Sequence, residues 1–179
     1  FFACYDDRLW VKKSSDMITT SKIFQISSLM RSSGVQFGTS GARGLVTAMT
    51  DLICFAYTAA FLQHLRSTGQ LQAGSAVAIA GDLRHSTDRI MTAVAVAISQ
   101  NGLRVVNCGK IPSPALASFG FNNKIPSLMI TGSHIPDDRN GIKFNTQSGE
   151  ILKSDETAIR SKSVSIAADI FVDNGFFIA

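Results

Sequence analysis

Ser133 stands in the run Thr131-Gly132-Ser133-His134-Ile135-Pro136, directly after a short apolar stretch and before Asp137-Asp138-Arg139-Asn140-Gly141-Ile142-Lys143. A glycine beside a hydroxyl lets a phosphate approach the backbone, Pro136 stiffens the turn, and Lys143 supplies a cation within loop reach. These residue types suit phosphoryl chemistry at Ser133. His134 adjoins the serine, yet a Ser-His pair without a placed acid and an oxyanion hole is not a hydrolase triad. From sequence, His134 is open to two readings: a polar contact in the chemistry, or packing of the loop.

A second segment, Phe37-Gly38-Thr39-Ser40-Gly41-Ala42-Arg43-Gly44, combines permissive glycines, two hydroxyls and one arginine. Such a loop can wrap an oxyanion, with Arg43 donating two parallel hydrogen bonds to a phosphate. Between the two segments lie Gly81-Asp82-Leu83-Arg84-His85-Ser86 and Gly109-Lys110-Ile111-Pro112-Ser113-Pro114. Asp82 and Arg84 read as a pair that holds its own loop, His64 and His85 as capping or packing residues, and Pro112 and Pro114 as turn-makers. Taken singly, a serine in a glycine-containing loop is structural and a loop cation merely solvated. The order and joint occurrence of the segments carry the functional reading.

The elements that must position these residues follow from apolar spacing. Thr50-Asp51 opens a helical pattern at Leu52, Phe55, Ala56, Ala59 and Leu62 that Gly69 stops. Ala76–Ala80 reads as a strand, Ser86 and Asp88 as caps of a helix over Ile90–Gln100, and Leu103–Asn107 as a second strand. A short helix near Ala115–Phe119 and a third strand at Ser127–Ile130 complete a βαβαβ pattern. Crossovers of this length join parallel strands, so the loops after residues 80, 107 and 130 should share one edge, where residues 37–44 and 131–143 should meet. Gly141–Asn145 and Gly149–Lys153 read as a hairpin, and Ser154 as the cap of a helix through Arg160. Residues 1–34 read as an N-terminal extension, 35–160 as the domain, and 161–179 as a tail without a clear period.

A chain of 179 residues with 45% hydrophobic and 17% charged residues is long enough for one ordinary domain and too apolar for a disordered one. Seventeen Lys and Arg against thirteen Asp and Glu give a formal charge of +4, scattered rather than clustered. That pattern argues against a nucleic-acid groove and allows a modest preference for small anions. Cys4, Cys54 and Cys108 show no disulfide or metal-ligand spacing, which fits free thiols in a reducing compartment. No apolar run has the length of a membrane span and the start lacks the order of a signal peptide, so cytoplasm is the expectation and no membrane partner.

The two phosphate-suited segments resemble motifs of the α-D-phosphohexomutases, the phosphoglucomutase/phosphomannomutase family. Residues 131–143 are similar to its phosphoserine loop T-A-S-H-N-P followed by N-G-x-K, keeping Thr131, Ser133, His134, Pro136, Asn140, Gly141 and Lys143 and departing at Gly132 and Ile135. Residues 37–44 resemble its F-G-T-S-G-x-R-G motif, residues 81–86 a shortened G-x-D-x-R-x-S loop, and residues 109–114 its G-x-x-P-T-P turn, so the likeness spans about residues 35–160. It implies a three-layer α/β/α domain with a mostly parallel sheet, the first of four. It also implies that Ser133 carries the transferred phosphoryl group, with His134, Lys143 and Arg43 in the catalytic set. Ser40, Thr131 and Asn140 would bind phosphate or substrate. A phosphoserine oxygen at Ser133 would be one ligand of Mg²⁺, the implied cofactor. Glucose or mannose 1- and 6-phosphates and hexose 1,6-bisphosphate are the implied partners. In the family the metal, sugar and distal phosphate loops belong to later domains, and none of those motifs occurs here. By itself this chain is therefore expected to be inactive, the rest of the parent supplying the missing surfaces. The alternative reading is a non-catalytic phosphosugar-binding or scaffold module.

Overall fold

The computed structural model describes residues 20–38 and 40–178; the expectations for residues 1–19 and Thr39 lie outside these. In chain order the elements are β1 (Ser21–Gln25), α1 (Ile26–Ser33), β2 (Gln36–Gly38), β3 (Gly41–Leu45) and α2 (Asp51–Ser67). β4 (Ala76–Gly81), α3 (Thr87–Gln100), β5 (Arg104–Lys110), α4 (Ser113–Asn123) and β6 (Ser127–Ile130) follow. β7 (Arg139–Thr146), β8 (Gly149–Glu150), α5 (Lys153–Arg160) and β9 (Ser163–Ala167) complete the chain.

Local chemistry explains most of these boundaries. Thr50 caps α2 by accepting the Ile53 N–H at 3.4 Å, and the helix is apolar almost all round because it is buried almost all round. Pro114 lies in the first turn of α4, where its missing N–H costs nothing. Two expected caps differ. Ser86 precedes α3 without capping it through its side chain. In α5 it is Asp155, not Ser154, that closes the first turn, accepting the Leu152 N–H at 2.8 Å.

The main sheet has the order β2-β3-β7-β6-β4-β5, with β8 paired to the end of β7. Val77 and Ile79 of β4 and Leu128 and Ile130 of β6 face the core shared with α1, α2, α3 and α5. Ala78, Ala80 and Met129 face the opposite side, where Leu116 of α4 covers them. Strand alternation thus produces the expected three layers. The expectation of a mostly parallel sheet needs correction: β4 runs parallel to β5 and β6, while the β2–β3, β3–β7, β6–β7 and β7–β8 pairs are antiparallel. The sheet is mixed because the loop after β6 turns the chain straight back as β7, without a crossover helix.

Residues 20–34, expected as part of an extension, pack against the domain. β1 pairs antiparallel with β9, from Ser21 opposite Ala167 to Gln25 opposite Ser163. Ile26 is fully buried and Met30 nearly so. The tail is structured too, since the Asp51 carboxylate accepts the Phe177 N–H at 3.1 Å and Phe171 packs edge-on against Phe55. These contacts join segments far apart in sequence, and local periodicity is blind to them. Among the described residues no helix is long and apolar enough to cross a membrane.

Candidate functional site

The segments 37–44 and 131–143 meet, though not by the expected route. β2 and β3 pair antiparallel, Gln36 opposite Arg43 and Gly38 opposite Gly41, and β3 lies antiparallel against β7 with Gly41 opposite Lys143 and Arg43 opposite Gly141. The Gly141 carbonyl in turn accepts the Thr131 N–H at 3.0 Å. An antiparallel ladder, rather than a row of parallel strand ends, therefore brings Arg43 beside the serine loop.

Lys143 alternates with Ile142 and Phe144, which face the helical core, so its side chain lies on the other face of β7. Arg43 is on that same face: a Cβ placed on Gly141 would stand 3.0 Å from the Arg43 Cγ. Both cations are partly exposed, Lys143 at 25% of its side chain. No carboxylate among the described residues forms a salt bridge with Arg43, whereas Lys143 pairs with Glu150 at 3.4 Å. Glu150 also accepts a hydrogen bond from Ser40. That bond, then the Lys143 charge, outweighs partial burial and holds the carboxyl below its ordinary range. Glu150 was not anticipated, although the hairpin reading of 141–153 already carried the signal, since Glu150 faces Asn145 across the turn.

Ser133 is exposed and adopts φ 56°, a left-handed backbone that non-glycine residues rarely occupy. Its N–H donates to Thr131 Oγ1 at 2.9 Å, and its Oγ lies 3.2 Å from Nδ1 of the exposed His134. Hydroxyl and imidazole are therefore in contact. Thr131 is buried and holds the loop from within.

Below the loop, Asp82 collects donors. Its Oδ1 accepts Thr87 Oγ1 at 2.6 Å and the Arg84 N–H at 3.1 Å, and its Oδ2 accepts the Gly132 N–H at 3.1 Å. Burial pushes this carboxyl up, but the bonds from Thr87, Arg84, Thr131 and Gly132 outweigh it and hold the group below its ordinary range. The pairing of Asp82 with Arg84 is present, Nε to Oδ2 at 3.4 Å, and it reaches beyond its own loop to the serine loop.

Asn140 sits differently from the expected phosphate ligand. It is fully buried; its amide nitrogen donates to Ser86 Oγ at 2.8 Å and Thr87 Oγ1 at 3.2 Å, and its oxygen accepts the Gly141 N–H at 2.8 Å. Its place on the helical face of β7 ties the loop to the start of α3. His64 is remote, buried and 2.8 Å from Asp155, joining α2 to α5, and His85 is exposed.

For a divalent cation the exposed Ser133 hydroxyl is an oxygen donor, while the Glu150 carboxylate beside the cations is already paired with Lys143. No group of three His, Cys, Asp or Glu side chains among the described residues could hold a metal. These residues alone do not fit the octahedral oxygen shell that Mg²⁺ requires.

The domain is thus α/β/α with a mixed sheet, and it presents an exposed left-handed serine and two cations on one face of the adjoining ladder. Residues 34–168 match the family model described as phosphoglucomutase/phosphomannomutase, alpha/beta/alpha domain I, and the chain belongs to that family. A phosphomannomutase of Salmonella muenchen is 44% identical over 137 residues, covering 76% of this chain and 28% of the relative. A phosphoglucosamine mutase of an Arthrobacter species is 35% identical over 132 residues, 70% of this chain and 29% of its own length. The crystal structure of a putative phosphomannomutase from Thermus thermophilus superposes with a TM-score of 0.63 at 29% identity, over 70% of this chain and 29% of that one. The chain thus spans less than a third of the relatives it matches.

Proposed function

We propose that this chain is the domain carrying the phosphoryl-bearing serine of a phosphohexomutase, an enzyme that interconverts hexose 1-phosphate and hexose 6-phosphate through a hexose 1,6-bisphosphate. The observation that carries the reading is the exposed Ser133 Oγ, held in a left-handed turn, with Arg43 and Lys143 on one face of the adjoining ladder. A free serine hydroxyl is a weak nucleophile, but a phosphoserine is a phosphoryl donor whose reactivity depends on positioning and charge neutralisation.

In the forward step a sugar hydroxyl attacks the phosphorus on Ser133. The bond from Oγ to phosphorus breaks, a bond from the sugar oxygen forms, and the proton lost by the sugar ends on Ser133 Oγ. His134, 3.2 Å from that oxygen, receives or returns the proton there. Arg43 and Lys143 offset the phosphoryl charge, and the return step re-phosphorylates Ser133 from the other end of the bisphosphate. Mg²⁺ would add charge neutralisation with a phosphoserine oxygen as one ligand; its remaining ligands, and the sugar-recognition surfaces, belong to the rest of the parent protein.

The decisive experiment maps phosphate on the full-length parent after incubation with hexose 1,6-bisphosphate, alongside turnover of Ser133→Ala. The expected result is phosphate on the peptide containing Ser133 and no mutase turnover in the variant. Normal turnover by Ser133→Ala would sink the reading. The isolated 179-residue chain is expected to be inactive, because positioning and electrostatics supply nearly all the catalysis in phosphoryl transfer.

A further inference from the structure

The Arg84 guanidinium lies beneath the serine loop, its side chain only 12% exposed. Nη1 donates to the carbonyls of Pro136 at 2.7 Å and Arg139 at 3.2 Å, and Nη2 to those of Ile135 at 2.6 Å and Ser133 at 3.2 Å. Nε faces the Asp82 carboxylate, whose other contacts include the Gly132 N–H. One side chain thus satisfies four carbonyls between Ser133 and Arg139, three of them in the irregular run 133–138 and the fourth on the first residue of β7. The Asp137 carboxylate, 3.1 Å away but 93% exposed, adds a surface pair of little strength.

We infer that Arg84 is a positioning residue for the phosphoryl-bearing serine: its planar fork gathers the loop carbonyls and thereby holds Ser133 in the left-handed conformation that presents Oγ. The inference rests on the phosphoserine reading above. Three features lead from the contacts to that role. Ser133 at φ 56° is an uphill conformation for an L-residue and persists only where its surroundings over-determine it. The guanidinium binds the carbonyl of Ser133 itself, so the restraint acts on the strained residue. Gly132 adjoins the guanidinium, and a side chain there would collide with the Arg84 Nε and Cζ atoms. A lysine could keep the charge but not the geometry, because a single ammonium cannot span four carbonyls arranged around a plane.

The test compares Arg84→Ala and Arg84→Lys with wild type in the full-length protein. It reads kcat and KM together with amide hydrogen exchange at residues 131–141 and in β4 and α3. Both variants should lose kcat by about tenfold or more with KM changed by less than about twofold, since the loss is in the orientation of the reacting group. Exchange should speed in the loop while β4 and α3 stay protected. Guanidinium ion added at millimolar concentration should restore part of the lost kcat to Arg84→Ala.

Each other outcome overturns the assignment. Unchanged kcat in Arg84→Ala would show that loop order does not limit the reaction. Full activity in Arg84→Lys would assign the effect to charge alone. Lost activity with general loosening of β4 and α3 would make Arg84 a folding residue. Ser133→Ala, assayed beside them, separates the two layers of the proposal. If it retains turnover, the phosphoserine reading fails; if it is dead while Arg84→Ala is normal, only the positioning role fails.

Discussion

Gly41 stands opposite Lys143 across the β3–β7 ladder, and a Cβ at Gly41 would come within 2.8 Å of the Lys143 Cα and collide with the Ile142 carbonyl oxygen. Backbone atoms cannot yield as a side-chain tip can, so the hairpin carrying Arg43 reaches the strand carrying Lys143 only through glycine. Gly41→Ala should push the two strands apart, destabilising the domain by about 1–3 kcal/mol. A shift of the urea midpoint to lower concentration at unchanged slope checks this.

Ser133 carries a conformational penalty that glycine would not. Replacing it with glycine should leave the domain more stable than replacing it with alanine, by about 0.5–1 kcal/mol, although both variants lose the hydroxyl. Thermal or urea unfolding of the pair decides the matter; alanine equal to glycine would mean that the loop relaxes out of the left-handed region.

Under the proposed function, Arg43→Ala and Lys143→Ala should each slow the full-length parent less completely than Ser133→Ala, because there the two cations would stabilise charge and not form the transferred bond. About a hundredfold loss in kcat for each is the expectation. Equal abolition in steady-state assays would indicate a different division of labour.

The Asp82 carboxyl is held below its ordinary range in the fold. Its ionised form therefore favours the folded state at any pH above the unfolded carboxylate value, and that contribution disappears as pH falls through the lower folded value. Asp82→Asn should be less stable than wild type at neutral pH. The gap should close in strongly acidic solution, below the ordinary aspartate value of 3.8. Urea midpoints measured from neutral to acidic pH test it; a gap independent of pH would assign the loss to geometry rather than to charge.

Ile26 is fully buried in α1, ahead of the region that carries the family motifs. Ile26→Ala should cost about 2–5 kcal/mol, as for any large core side chain. A negligible change in denaturant midpoint would return residues 20–33 to the status of an appendage.

What could be read in the linear order was local. The chemistry proposed for Ser133, Arg43 and Lys143 rests on side-chain types within short segments, and the helices around Leu62 and Ile90 and the strands at Ala76 and Ser127 depend on apolar spacing over a few turns. Such features are encoded by neighbours in the chain, so the resemblance and the α/β class were legible without coordinates. Pairing partners are not neighbours. Only the tertiary structure decided that β3 lies antiparallel to β7, which makes the sheet mixed and sets Arg43 on the face of Lys143. Only it decided that Asn140 commits its amide to Ser86 and Thr87, that Glu150 occupies Lys143, and that β1 closes on β9. Each is a hydrogen-bond choice between segments whose sequences permit several partners. Burial of the remaining apolar surface selects one of them, because only one arrangement satisfies the core and the backbone together.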